Sequence, residues 1–359
     1  MDKHLLRFSQ ESLEKLKVWF LQNKRSLPWR ENPSPYEVWI SETMLQQTQV
    51  SVVIPYYKRW MQRFPTLEDL SDASIDEVLK MWEGLGYYSR ARRLHSVAQS
   101  LIKKGIKEIP SDRLRLLNIS GLGPYTVGAI LSFAFKQKAT AVDGNVMRLI
   151  TRLFAIEKCI DRAETKRFIE EIIIASLPDD EPWVMMEAFI ELGALICQKK
   201  PQCGLCPLQK KCLAYRQGNI DLFPRKAPRP SLRVLHRLVA VITSAQHVLL
   251  QKGKQGRVMA DLWEFPYFEI EGKDLKLCDL QMQIKTHFPF ALTYLGNLPS
   301  LSHGFTHFKA HLYPYLWEAD ACYPIDDFMW IAWEDLKTKT FSAGHRRILE
   351  SAFYDKLYF

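Results

Sequence analysis

Four cysteines within sixteen residues constrain this chain more than any other feature. Cys197, Cys203, Cys206 and Cys212 form C-x5-C-x2-C-x5-C, with Lys199, Lys200, Lys210 and Lys211 between them. Thiols this close, with C-x2-C at the centre, suit metal ligation better than unliganded core packing, and thiolates select zinc or an iron–sulfur cluster. Spacing alone does not separate those two. A closed four-thiolate site staples a loop without implying redox chemistry, and the lysines carried on such a loop could meet phosphates. Cys159, Cys278 and Cys322 are scattered, so the seven cysteines read as a metal site in a reducing compartment, not as a disulfide framework.

The 359 residues exceed the roughly 100–200 of one domain, so two domains are expected. Apolar residues at 47% and charged residues at 25% exclude disorder, collagen and coiled coil as descriptions of the whole chain. The 49 Lys+Arg against 40 Asp+Glu leave a net charge of +9, which favours polyanionic partners through local basic patches. The opening Met1-Asp2-Lys3-His4-Leu5-Leu6-Arg7 holds no apolar signal region, and no apolar run approaches the roughly 18 residues of a membrane span. A cytoplasmic protein without a membrane partner is expected.

Up to residue 222 the pattern is mainly helical, with apolar residues at three and four spacing (Leu13, Leu16, Trp19, Phe20; Ile130, Leu131, Phe133, Ala134). Residues 223–234 read as a linker, because Phe223-Pro224-Arg225-Lys226-Ala227-Pro228-Arg229-Pro230 holds three prolines and three basic residues and proline disfavours helix at and before itself. From 235 to 359 the rhythm changes to a smaller α/β domain. Leu238 to Thr243 and His247 to Gln251 read as strands around a turn at Ser244-Ala245-Gln246.

In the helical part, Leu116-Leu117-Asn118-Ile119-Ser120-Gly121-Leu122-Gly123-Pro124-Tyr125-Thr126-Val127-Gly128 reads as helix, tight Gly-x-Gly turn, and a second helix with Pro124 at its first position. Backbone amides at such a helix start can anchor a phosphate without reading sequence. Asp143 precedes the periodic segment Val146, Leu149, Ile150, Leu153, Phe154, where the commonest role of Asp is to cap the helix. Glu42 lies in Val38-Trp39-Ile40-Ser41-Glu42-Thr43-Met44-Leu45, apolar on both sides, so a partly buried carboxyl with a raised pKa is expected. Two carboxyls in different environments form the acid-plus-stabiliser pair that cuts a glycosidic bond through an oxocarbenium-like transition state.

These motifs, with Leu27-Pro28-Trp29-Arg30, Ser41 to Thr48, and Trp82-Glu83-Gly84-Leu85-Gly86-Tyr87-Tyr88-Ser89-Arg90-Ala91-Arg92, make the chain resemble the helix-hairpin-helix DNA glycosylases with an iron–sulfur cluster, and within them the MutY-type adenine DNA glycosylases. Asp261-Leu262-Trp263-Glu264-Phe265-Pro266 and His303-Gly304-Phe305-Thr306-His307-Phe308 resemble that family's Nudix-like C-terminal domain, which the sister endonuclease III group lacks. The resemblance implies a mainly α, two-lobed helix-hairpin-helix glycosylase domain with a 4Fe-4S loop over 197–212, joined to a smaller α/β Nudix-like domain. It implies an enzyme of base excision repair that acts as a monomer on double-stranded DNA, flips out adenine mispaired with 8-oxoguanine or guanine, and removes it. By position, Glu42 is implied as general acid and later activator of water, and Asp143 as stabiliser of the sugar cation or transient nucleophile, with Tyr125 and Asn145 in support. Arg25, Trp29, Arg30 and Glu187 are implied to line the adenine pocket. Gln47, Tyr87, Gly121, Gly123 and Thr126 are implied to meet the duplex. Phe305, Thr306 and His307 are implied to recognise the oxidised base. Cys197, Cys203, Cys206 and Cys212 are implied to hold the cluster, in preference to zinc.

Read without the resemblance, Tyr87 is an exposed aromatic beside a turn, and Phe305 and Phe308 are ordinary strand packing. Tyr125 stands where the bifunctional lyases of the superfamily place a lysine, so base excision without efficient strand cleavage is expected. The first cysteine gap is five residues where the family usually has six, Thr306 stands for the usual serine, and Asp261 for the usual glycine. Asn118-Ile119-Ser120 also departs from the usual residues before the Gly-x-Gly turn, without altering its backbone anchor. Competing readings are an endonuclease III-like glycosylase for oxidised pyrimidines, a catalytically silent metal-stapled DNA-binding protein, and a nucleotide hydrolase. Tyr125 and the second domain oppose the first, the presence of both Glu42 and Asp143 opposes the second, and the absence of a G-x5-E-x7-R-E-x2-E-E box opposes the third.

Overall fold

The computed structural model describes residues 6–228, 231–254, 256, 259–270, 277–305 and 308–358. It divides into two compact units, Met1–Asp72 with Arg93–Pro228, and Ala73–Arg92 with Arg229–Phe359. Residues 73–92, expected in the N-terminal domain, group with the C-terminal unit, and the first strand begins at Arg233, inside the stretch expected as a linker. The reason for the grouping is long-range bonding. Glu83 pairs with Arg346, Tyr88 donates to the Phe341 carbonyl, and Arg92 donates to the Ala260 carbonyl. No local sequence pattern carries that information.

The helices run α1 (Gln10–Asn23), α2 (Pro35–Leu45), α3 (Val50–Arg63), α4 (Leu67–Asp72), α5 (Ile75–Trp82), α6 (Ser89–Lys103), α7 (Arg113–Leu117), α8 (Pro124–Ala129), α9 (Gly144–Leu153), α10 (Ala163–Ser176), α11 (Pro182–Leu195) and α12 (Leu213–Arg216). Their starts follow from capping chemistry. Ser34 and Glu37 form a reciprocal capping box at α2, Ser74 accepts from Glu77 N at α5, and Asp112 accepts from Arg115 N at α7. In the first unit α11 is apolar almost all round, which is the pattern of an interior helix, and it packs between α1 and α9. Gly193 permits the close approach of α11 to α9, since a Cβ there would lie 2.8 Å from the Asn145 carbonyl oxygen. α8 runs directly into a π-helical turn, Ile130–Ala134, and both pack on α2. No described helix is long and apolar enough to cross a membrane.

The second unit is built on one mixed eight-stranded sheet. Its strands are β1 (Arg233–Ser244), β2 (His247–Lys252), β3 (Trp263–Glu264), β4 (Tyr267–Ile270), β5 (Leu292–Asn297), β6 (Leu301–Phe305), β7 (Phe308–Ala319) and β8 (Phe328–Ala332), with helices α13 (Leu277–His287) and α14 (Ala343–Tyr358). β1 pairs in parallel with β7 over its whole length and forms a tight hairpin with β2. Alternation along β1 explains the two cores. Val239 and Val241 face a cluster that includes Ile348 and Leu349 of α14, while Leu238, Ala240 and Ile242 face one that includes Ile284 of α13. Both faces of the sheet are therefore covered.

The tightest backbone approach in the first unit lies beside the candidate site: a Cβ on Gly128 would fall 1.8 Å from the Thr140 carbonyl oxygen. Gly128→Ala should therefore destabilise the first unit by on the order of 4 kcal/mol, the range reserved for overpacking and lost buried bonds. Thermal unfolding followed by circular dichroism should show the first transition lowered by many degrees, and an unchanged melting curve would refute the packing.

Candidate active site

Glu42 sits on α2 with Trp39, Ile40 and Met44 buried around it, and only 7% of its own surface is exposed. Burial is the main force on its carboxyl and pushes it up to about 7. Asp143 and Glu187 push the same way, while the hydrogen bond from Tyr125 and the charge of Arg30 oppose. The Tyr125 hydroxyl, from the first turn of α8, donates to Glu42 Oε2 at 2.5 Å. Burial likewise raises Tyr125 well above the ordinary phenol, with Glu42 and Asp143 adding to it.

Asp143 is the N-cap of α9, the position its sequence context suggested. Its Oδ1 accepts from the backbone amides of Asn145 (2.9 Å) and Val146 (2.8 Å), and its Oδ2 from Asn145 Nδ2 (2.6 Å). Burial raises its pKa, and these hydrogen bonds together with the charge of Arg148 work against that rise. Asn145 is itself oriented, because Arg148 Nη2 donates to its Oδ1 at 2.8 Å. Arg148 also donates to the carbonyls of Gly193 (2.8 Å) and Cys197 (2.7 Å), so a chain of hydrogen bonds runs from the first cysteine to the Asp143 carboxylate.

The basic side of the site is a partly buried ionic group around the fully buried Glu191. Arg25 makes a bidentate pair with Glu191, with Nε to Oε1 and Nη2 to Oε2 both at 2.8 Å. Arg30 reaches Glu191 Oε2 at 2.8 Å and, through Nε, Glu187 Oε2 at 3.0 Å. Burial alone would raise Glu191, but the hydrogen bonds from Arg25 and Arg30 overcome it and hold the carboxyl down at about 2. Glu187 is raised, chiefly by burial, with Arg30 and Lys136 opposing. Trp29 is buried against Tyr57, with ring centroids 5.2 Å apart.

The structure thus brings Glu42, Tyr125, Asp143, Asn145, Arg30 and Glu187 into one electrostatic group and ties Arg25 to it through Glu191. The sequence reading passed over Glu191, Arg148, Arg152 and Lys136. The signal for Glu191 was present: two glutamates four apart in an otherwise apolar helix need buried cations. Gln47 and Tyr87 are both exposed and both left-handed, with φ of 60° and 49°. Gly121 and Gly123 are exposed at the turn before α8, and Gly121 has φ of 104°. Thr126, in the first turn of α8, is buried, with 5% of its surface exposed. Phe305 packs among Phe308, His303 and Arg237 on the sheet. Thr306 and His307 lie outside the described residues. Asp261 has φ of 61°, which is the physical reason a glycine suits that position.

Cys197, Cys203, Cys206 and Cys212 line a common pocket together with apolar residues such as Leu149 and Ile220. Arg152 binds this loop to α9, donating to the Gln198 carbonyl at 2.6 Å and to Cys197 Sγ at 3.5 Å. Among the described residues, no three His, Cys, Asp or Glu side chains are drawn together as for a single ion. Four soft sulfur donors lining one pocket fit a thiolate-held cluster.

Residues 40–174 match the family described as HhH-GPD superfamily base excision DNA repair protein, and residues 238–351 match the NUDIX domain family. The chain is 31% identical to an adenine DNA glycosylase of Rattus norvegicus over 92% of this chain and 75% of the relative. It is 31% identical to that of Homo sapiens, over 92% and 72%, and 33% identical to that of Buchnera aphidicola subsp. Acyrthosiphon pisum, over 83% and 84%. A trapped endonuclease III–DNA covalent intermediate resembles the chain in fold, with TM-score 0.52 and 24% identity, covering 61% of this chain and 99% of the other. A thermostable thymine-DNA glycosylase does so at 0.53 and 24%, covering 58% and 98%.

The folded Glu42 pKa of about 7 lies above its unfolded 4.5, so the folded state holds the proton more tightly. Stability from this group is therefore full below pH 4.5 and falls as pH rises through about 7, by on the order of 3 kcal/mol. Glu42→Gln, which cannot ionise, should melt several degrees above the parent at pH 8 and converge with it at pH 4.5. Equal differences at both pH values would show that the carboxyl is not desolvated.

Proposed function

The chain belongs to the adenine DNA glycosylases of base excision repair, and from that premise we propose that it removes adenine paired with 8-oxoguanine or guanine through Glu42 and Asp143. The observation that carries this reading is the burial of Glu42 against Tyr125, beside a second carboxylate that is hydrogen-bonded and differently poised. A carboxyl near pH 7 keeps a proton to give at neutral pH, which a general acid requires.

Adenine must leave the base stack before these groups can reach it, and Gln47, Tyr87 and the hairpin around Gly121 and Gly123 are the candidate duplex contacts. With adenine in place, Glu42 delivers its proton to N7 and the ring becomes a neutral leaving group. As the glycosidic bond breaks, positive charge develops on the sugar. Asp143, fixed by Asn145 and the head of α9, offers negative charge to it. Glu42, now ionised, takes a proton from the attacking water. Arg30, held by Glu191, and Glu187, paired with Arg30, present a donor and an acceptor suited to an adenine edge.

No amine stands at position 125, so the reaction ends at the abasic site and the strand breaks mainly after alkali. Cys197, Cys203, Cys206 and Cys212 would hold a 4Fe-4S cluster, which when bound supplies a cross-link that fixes the 197–212 loop. The Nudix-like unit, with Phe305, Thr306 and His307, would recognise the oxidised base. A monomer suffices for all of these roles.

Single-turnover release of adenine from a duplex with A opposite 8-oxoguanine should exceed that from A opposite guanine, and A:T should be untouched. Glu42→Gln should lower the rate about 10²–10⁴-fold, as expected for loss of general acid catalysis. The parent rate should fall as pH rises through about 7, because the acid form of Glu42 is then lost. A folded, cluster-loaded protein that binds this duplex and releases no adenine would sink the proposal.

A further inference from the structure

The turn that carries Tyr87 is tied to the C-terminal part of the chain by a set of partly buried bonds that the chemistry above does not use. Glu83, at the end of α5, accepts three hydrogen bonds at Oε1, from Phe341 N (3.0 Å), Arg346 Nε (2.9 Å) and Arg346 Nη2 (2.7 Å). Its Oε2 accepts from Lys80 Nζ at 2.7 Å, and Lys80 and Arg346 both also donate to the Lys339 carbonyl. The Glu83 and Arg346 side chains are 18% and 19% exposed, so the pair is largely shielded from solvent. On the other side of the turn, Tyr88 accepts from Gly84 N (3.4 Å) and donates to the Phe341 carbonyl (3.2 Å). Both backbone polar groups of Phe341 are thus engaged by this one turn.

The turn needs such support. Gly84, Gly86 and Tyr87 all have left-handed backbone, with φ of 102°, 71° and 49°. A tyrosine in that region is disfavoured and persists only where its surroundings over-determine it. Trp82 Nε1 and Arg90 Nη2 both donate to the Gly86 carbonyl, and the Arg90 guanidinium lies over the Tyr87 ring at 5.5 Å. These contacts fix the turn from within, and Glu83 and Tyr88 fix it to residues 339–346.

We propose that the Glu83–Arg346 pair is a latch through which the C-terminal unit sets the conformation of the 83–88 turn, so that Glu83 and Arg346 are positioning residues for Tyr87. This rests on the reading above, in which Tyr87 contacts the duplex from which adenine is flipped. The C-terminal unit then acts in two ways: it recognises the opposite base, and it holds the duplex contact at Tyr87 in register.

The test uses the full, cluster-loaded chain with Glu83→Gln, Arg346→Met, Tyr87→Ala and the pairwise combinations. Each is measured for adenine release, for affinity to an undamaged duplex, for thermal stability, and for the fluorescence of 2-aminopurine stacked beside the mispaired adenine. Glu83→Gln and Arg346→Met should slow release about 10- to 100-fold and suppress the fluorescence rise that reports unstacking, as displacement of a contact by about 1 Å does elsewhere. Affinity for undamaged duplex should stay at the parent value. Adding Tyr87→Ala to Glu83→Gln should cost little more, because both remove one function. Arg346→Lys, which keeps the charge and one donor, should recover part of the rate and covers the case in which Arg346→Met does not fold. If Tyr87→Ala is slow while Glu83→Gln and Arg346→Met release adenine and unstack the probe like the parent, the latch is overturned. Losses that add fully with Tyr87→Ala overturn it as well. If the parent itself releases no adenine, the underlying reading fails and takes the inference with it.

Discussion

The three hydrogen bonds accepted by the Asp143 carboxylate at the head of α9 hold the candidate site together. They cap the helix, fix the carboxylate and orient Asn145 in a single arrangement. From the same helix, Arg148 and Arg152 reach the carbonyls of the cysteine loop, which binds that loop to the element presenting the carboxylate. Gly193 lets α11 lie against α9 closely enough for these bonds to form. α11 in turn supplies Glu187 and Glu191, which hold Arg30 and Arg25. One helix start thus connects the acidic, basic and cysteine-bearing parts of the first unit.

The chemistry follows from how differently two pairs of carboxyls are treated. Glu42 is buried without a compensating cation close enough to win, so it keeps its proton up to about pH 7. Asp143, partly buried, is given three hydrogen-bond donors instead. In the basic group, Glu191 meets two arginines and stays ionised, while Glu187 is raised despite Arg30. Burial acts on all four, and the partners decide which carboxyl keeps its proton. A buried Glu191 without its arginines would cost several kcal/mol, which explains why the pocket's cations are held so rigidly.

In the second unit the constraint is geometric. A sheet covered on both faces supplies a rigid frame, and residues 73–92 join it through side chains that bond to backbone groups of the strap at 339–346. A left-handed tyrosine at 87 is tolerated because the bonds around it leave the turn few alternatives.

Much of this was legible in the sequence. Periodicity gave the helical and β-rich halves, Pro124 and the glycines gave the hairpin, and the β1–β2 turn fell where its polar residues indicated. The isolation of Glu42 among apolar residues predicted its burial, and the position of Asp143 predicted its cap. The spacing of the cysteines places all four on one loop that lines a single pocket. These features are local, and local sequence determines propensity, capping and amphipathic faces. The Arg25–Arg30–Glu191 group, the chain from Cys197 through Arg148 to Asp143, and the membership of residues 73–92 in the second unit were not legible. Each depends on charges or carbonyls far apart in the chain meeting in a low-dielectric interior, where distance and desolvation fix protonation and orientation. Only the tertiary structure sets those quantities.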